Sequence, residues 1–178
     1  MTDPGRASLA RLLVECGAVR FGAFTLASGQ TSDVYVDIKR AWTDPKRLAT
    51  IAAALAAEVG DAERLAGMEL GAVPLVVATA LRTGLPYVVV RKAPKAHGTQ
   101  QRFEGDIPPG ARVVVIEDVV TTGGSSAETV HVLRDAGAHV DRLLAVVDRR
   151  QGGSEKLRSL DVRIESLVTL EELRGAGD

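Results

Sequence analysis

Val113-Val114-Val115-Ile116-Glu117-Asp118-Val119-Val120-Thr121-Thr122-Gly123-Gly124-Ser125-Ser126 is the stretch on which the reading of this chain turns. Four consecutive apolar residues predict a strand buried on both faces, as in a parallel sheet covered by helices. The strand delivers two adjacent carboxylates, Glu117 and Asp118. Neighbouring side chains on a strand point to opposite faces, so both acids reach one ligand only where the backbone bends. Carboxylates accept hydrogen bonds from the vicinal hydroxyls of a sugar and favour a nearby divalent cation. From Thr121 to Ser125, two glycines let the backbone come close and turn its N–H groups inward. A helix expected from about Ser125 adds its N-terminal partial positive charge, which suits a phosphate. No Gly-Lys-Ser/Thr follows the glycines, and neither Gly-x-Gly-x-x-Gly nor Gly-x-Ser-x-Gly occurs, so a Walker A loop, a dinucleotide site and a hydrolase elbow are unsupported.

The flanking sequence extends this unit into a sheet. Tyr87 to Val90 and Leu143 to Val147 are also short and apolar, and helical patterns fill about 73–83, 125–136 and 154–160. Strands alternating with helices predict βαβ units and an open, doubly wound sheet, with ligands beyond the carboxyl ends of the strands. Upstream, Leu9, Leu12, Leu13 and Cys16 recur at helical spacing before Gly17. Val34, Val36 and Ile38 alternate with Asp33, Tyr35 and Asp37, a strand with one polar face. Asp44 and Pro45 are suited to N-cap and N1 of a helix ending near Gly60, and Pro74 opens another to about Gly84. Ala93 to Gly110 has no clear periodicity, and a loop of that length is commonly functional. Arg91, Lys92, Lys95, His97 and Arg102 gather there as a local anion trap. His131 and His139 read as structural or surface residues.

The 178 residues predict a single domain spanning 1–178, and 46% hydrophobic with 25% charged residues is ordinary globular composition. Aromatics are only 3%, too few for a base-stacking nucleic-acid surface, and neither a basic helix nor a helix-turn-helix is visible. Lys and Arg total 22 against 23 acids, so anion sites must come from local clustering. Cys16 stands alone, which excludes an intrachain disulfide framework and a multi-cysteine metal site. No apolar run approaches the roughly 18 residues of a membrane helix, and Met1-Thr2-Asp3-Pro4-Gly5 lacks a signal-peptide core. A cytoplasmic location is expected.

The Val113–Ser126 segment resembles the phosphoribosyl-pyrophosphate (PRPP) signature of the type I phosphoribosyltransferases. The resemblance implies that family's α/β fold: an open parallel sheet flanked by helices, a small N-terminal hood mainly within 1–40, and a long flexible catalytic loop at about 93–110. It assigns Glu117 and Asp118 to the ribose hydroxyls, with Asp118 counted among the catalytic residues. It gives Val119, Val120, Thr121, Thr122, Gly123, Gly124 and Ser125 to the 5′-phosphate loop.

Further stretches resemble the orotate branch of that family: Arg91-Lys92-x-x-Lys95-x-His97-Gly98, Phe24 to Ser32 running into Val34–Asp37, Gly67 to Pro74, and Val147-Asp148-Arg149-Arg150. There Arg91, Lys92, Lys95 and His97 would bind the PRPP pyrophosphate. Lys95 and His97 would act in catalysis, reaching the neighbouring subunit's site in a homodimer with shared active sites. His97 either donates a proton to pyrophosphate or only binds it. Thr121 and Arg149 would contact orotate, the guanidinium gripping its carboxylate with two hydrogen bonds. The implied reaction joins the 5-phosphoribosyl group of PRPP to N1 of orotate, giving orotidine 5′-monophosphate and pyrophosphate in UMP synthesis. Magnesium would enter with PRPP rather than on protein ligands. Many bacterial members carry lysines where Ala27 and Gly71 stand here. A transferase for another base and a PRPP-fold ligand sensor are the alternatives; Arg149 argues against the first, Lys95 and His97 against the second.

Overall fold

A computed structural model describes residues 4–25, 31–93 and 101–177. In chain order the elements are α1 (Pro4–Glu15), β1 (Val19–Thr25), β2 (Thr31–Val36), α2 (Lys39–Trp42), α3 (Pro45–Glu58), β3 (Arg64–Met68), α4 (Val73–Thr83), β4 (Tyr87–Val90), β5 (Phe103–Glu104), β6 (Arg112–Val120), α5 (Gly124–Asp135), β7 (His139–Asp148), α6 (Gly153–Arg158), β8 (Arg163–Thr169) and α7 (Leu170–Gly175). Six strands form one sheet in the order β5-β4-β3-β6-β7-β8. It is parallel except for β5, which runs antiparallel to β4.

Side-chain alternation along β6 explains why the sheet is covered on both faces. Val114 and Ile116 enter one core with Leu13 of α1, Leu55 of α3 and Leu75 of α4. Val113 and Val115 enter the other with Val130 and Leu133 of α5 and Leu157 of α6. Continuous apolar runs are what a two-sided environment selects.

From β3 the chain moves outward to β4, then returns to place β6 on the other side of β3 before continuing to β7 and β8. The connections after β3 and β6 therefore diverge, leaving a crevice at the carboxyl ends of those two strands. The Asp44 side chain caps α3 by accepting from the Lys46 and Arg47 N–H groups, each at 3.0 Å.

Two expectations require correction. The segment 93–110 is not wholly a loop: Phe103–Glu104 pairs with Val90 and Val89 as β5, too short a strand to carry a periodicity. The strand predicted over Val113–Ile116 continues to Val120, so Glu117 and Asp118 lie within it rather than after it. β1 and β2 form a separate antiparallel hairpin in the region expected for the hood. Arg174 of α7 ties it down, with its guanidinium 2.5 Å from Asp33 and over the Phe21 ring. That guanidinium holds the Asp33 carboxyl below the usual carboxylate range.

Candidate active site

Four strand ends converge on the crevice: Met68 of β3, Val90 of β4, Val120 of β6 and Asp148 of β7. A cavity of about 280 Å³ opens there. The connection after β3 supplies Glu69, Leu70 and Gly71; β6 supplies Glu117, Asp118 and Val119; Lys39, Lys92 and Ser125 complete its polar lining. Both acids line this one space, although they alternate along β6, because it straddles the end of the sheet.

Glu117 is only 7% exposed, and its Oε2 has no hydrogen-bond partner. Burial, reinforced by the Asp118 charge and opposed by Lys92, pushes the Glu117 carboxyl up to about 8. Burial also raises the Asp118 carboxyl, while hydrogen bonding from the Val119 N–H and the charge of Lys39 pull it back. Asp118 Oδ1 accepts from Val119 N at 2.8 Å. A buried carboxylate lacking a partner carries a desolvation cost that a ligand hydroxyl or a cation offsets.

The phosphate cradle is shaped by glycine on both sides. Gly123, the N-cap residue of α5, has φ of 72°, and no side chain caps that helix. A Cβ at Gly123 would lie 3.0 Å from Gly153 Cα. A Cβ at Gly153 would lie 2.9 Å from Thr121 O, to which Gly153 N donates at 3.1 Å. Backbone therefore touches backbone between the cradle and α6. The Gly152-Gly153 pair belongs to the site's construction, a role that a motif search confined to 113–126 misses.

Arg149 follows β7. Its N–H donates to Val120 O at 2.9 Å, which brings it beside Thr121. Its Nη2 reaches Ser32 Oγ of the hood hairpin at 3.3 Å, and its buried Nε has no partner. The turn behind it is locked by the buried Asp148, whose Oδ1 accepts from Arg150 N at 2.8 Å and Oδ2 from Ser154 Oγ at 3.1 Å. Ser32 and Asp148 fall inside stretches that carry the family resemblance, but their pairing with Arg149 and Arg150, like the role of Ser154, is set by tertiary structure.

Of the predicted cations, Lys92 lines the cavity. Arg91 instead pairs with Glu104 of β5 at 3.2 Å. Arg102 pairs with Glu128 of α5 at 2.7 Å and donates to the carbonyls of Arg91 and Lys92. Both guanidiniums thus brace the ends of the 93–110 segment. Lys95, His97 and Ala27 lie outside the described residues. At Gly71 a Cβ would fall 2.8 Å from Asp118 Cγ, so a side chain at that position collides with the acid pair. Lys39 and Glu69 had no predicted role, and both wall the cavity.

Among the described residues no group of three or more His, Cys, Asp or Glu side chains is gathered to hold a metal ion. The acid pair, with one unpartnered oxygen, fits a cation held mainly by its own ligand. No helix among the described residues is long and apolar enough to cross a membrane.

A doubly wound sheet with an acidic pair, a glycine cradle and a helix N-terminus at its switch point defines a protein for phosphorylated sugars. The family model of the phosphoribosyl transferase domain matches residues 43–171, and the chain is a phosphoribosyltransferase of that fold. It is 50% identical over 163 residues to the orotate phosphoribosyltransferase of Methanosarcina mazei, covering 90% of this chain and 87% of that one. The crystal structure of the Aeropyrum pernix orotate phosphoribosyltransferase superposes with a TM-score of 0.84 at 38% identity, over 94% of this chain and 96% of that one. The Mycobacterium tuberculosis orotate phosphoribosyltransferase solved with PRPP gives a TM-score of 0.80 at 34% identity, over 96% and 99%. The chain belongs to the orotate phosphoribosyltransferase family.

Proposed function

We propose that this chain transfers the 5-phosphoribosyl group of PRPP to N1 of orotate, releasing pyrophosphate and orotidine 5′-monophosphate. The N1–C1′ bond forms as the C1′–oxygen bond to pyrophosphate breaks, with loss of the N1 proton and inversion at C1′. Positive charge builds on the ribose during this exchange; Glu117 and Asp118 would hold its hydroxyls by hydrogen bonds, and negative charge on Asp118 would offset part of that charge. The cradle from Val119 to Ser125 binds the 5′-phosphate against the N-terminus of α5. Magnesium, carried on the pyrophosphate, supplies charge neutralisation of the leaving group. Lys92 lines the cavity on that side, and Lys95 and His97 would bind that group as the family resemblance implies. No protein nucleophile is needed; positioning and electrostatics supply the rate.

The observation that carries the acceptor assignment is Arg149. A half-buried guanidinium with a buried, unpartnered Nε and a long hydrogen bond to Ser32 has unspent donors beside Thr121. A carboxylate on the base satisfies them as a fork, which a purine does not.

A homodimer with shared sites in the cytoplasm completes this reading. Association, though neither the sharing of sites nor the location, is supported by an apolar face between α3 and α4 formed by Leu48, Ala49, Ala78 and Leu81, with Leu81 83% exposed. A surface of that kind favours a protein partner.

The test is incubation with PRPP and magnesium against orotate, uracil, adenine and hypoxanthine, following pyrophosphate release. Orotate-dependent release is expected. Release with a purine and not with orotate would overturn the assignment.

A further inference from the structure

The cavity holds one cation that the division into ribose, phosphate and base leaves without a task. We propose that Lys39 is a leaving-group-binding residue, which holds the pyrophosphate end of the donor beside Asp118. The proposal rests on the transferase reading and adds a residue to it.

The argument begins with charge. Three carboxylates, Glu69, Glu117 and Asp118, share the walls with two ammonium groups, Lys39 and Lys92. A polyanion enters such a space only if cations meet it. Lys92 sits on the Glu117 flank, where its charge acts on that carboxyl, and its N–H donates to Glu69 Oε1 at 2.9 Å. The Asp118 flank is different. The connection after β3 passes close, and a side chain at Gly71 would require the Asp118 carboxylate to move. The positive charge that reaches Asp118 comes instead from Lys39, at the start of α2, and is opposed by the Asp37 carboxylate that Lys39 pairs with. Ser125 leads from the cavity to the cradle and the N-terminus of α5, which serve the 5′-phosphate. The second anion of the donor is therefore left to the part walled by Gly71, Lys39 and Lys92.

Lys39 is also free to move. Its side chain is 55% exposed, and its Nζ rests 3.2 Å from Asp37 Oδ1. An exposed pair two residues apart holds weakly, so exchanging Asp37 for a polyanion costs little. A compact ammonium on a four-carbon stem meets phosphate oxygens as a point charge and needs no fixed fork.

The test uses the full chain and needs no turnover. Magnesium pyrophosphate and ribose 5-phosphate are titrated separately by calorimetry into the wild type, Lys39→Ala and Lys39→Arg. Lys39→Ala should weaken pyrophosphate by about tenfold, the loss of one charge-assisted contact. Ribose 5-phosphate should stay within about twofold, and Lys39→Arg should recover most of the pyrophosphate affinity. Unchanged pyrophosphate affinity in Lys39→Ala, or an equal loss for both ligands, would overturn the proposal. A chain that shows the predicted selectivity but consumes no orotate would refute only the acceptor assignment.

Discussion

The part of the site proposed for the sugar, around the acid pair and the cradle, and the part proposed for the base, around Arg149, are built by opposite means. On the sugar side the acid pair and the cradle lie on one continuous segment, β6 running into α5, and glycines from two other segments, Gly71 and Gly153, let their backbone close around it. The base side is assembled from pieces far apart in the chain. Arg149 meets Ser32 across 117 residues, and the turn that aims it is closed by Asp148 and Ser154. The first depends on close backbone approach at a few glycines, whereas one made from converging side chains is only as good as each support. Substitutions on the two sides should therefore leave different signatures.

The largest effect is expected at Arg149. Arg149→Ala should lower kcat/KM for orotate by about a thousandfold, as loss of a desolvated charge partner does. PRPP affinity, measured by calorimetry, should stay within about twofold. A comparable loss in PRPP affinity would mean that the two sides are not separable.

On the sugar side, Gly71→Ala should cost about a hundredfold in kcat/KM for PRPP, because the added methyl displaces the Asp118 carboxylate from its place against the cavity wall. Steady-state kinetics with both substrates varied would check this, and a near-native value would show that the acid pair yields freely.

Glu117 gives a prediction in pH rather than in rate. Its folded-state value of about 8, against 4.5 for the free side chain, means that the folded chain keeps a proton between those values which the unfolded chain gives up. Stability should then fall as pH rises through that window. Glu117→Gln removes the effect, so the variant should be more stable than wild type by on the order of 2–4 kcal/mol at pH 9 and equal to it near pH 4. Urea unfolding at the two pH values reads this directly, with loss of turnover as the counterpart of the gained stability.

The smallest effect belongs to Ser32. Ser32→Ala should raise KM for orotate by about threefold to tenfold with kcat little changed, since it removes one support of the guanidinium.

The legibility of the chain follows the same divide. β6, its acid pair and the glycine cradle could be read from sequence because burial on both faces forces an unbroken apolar run, and because the cradle is local. α3 and α4 were readable from Asp44, Pro45 and Pro74, whose effects reach only a turn or two. The hood hairpin was half visible: β2 alternates, but β1 is exposed along most of its length and shows no pattern. β5 has two residues and exists only through β4. In the site, Lys39 and Glu69 gave no signal because their neighbours come from other strands. Arg91 was read as a ligand contact from its place in a motif; its guanidinium pairs with Glu104 at 3.2 Å and keeps a buried Nε without a partner. At Gly71, where many bacterial members carry lysine, the Asp118 Cγ stands 2.8 Å from where a Cβ would lie, a proximity the sequence does not reveal.

The most direct measurement of the acceptor assignment compares orotate with uracil, which lacks the carboxylate, in wild type and Arg149→Ala. Pyrophosphate release from PRPP and magnesium is followed for each pair. Wild type should favour orotate by about a thousandfold in kcat/KM, and Arg149→Ala should lose most of that preference. A wild type that treats the two bases alike, or an Arg149→Ala variant that keeps the preference, would contradict the role given to Arg149.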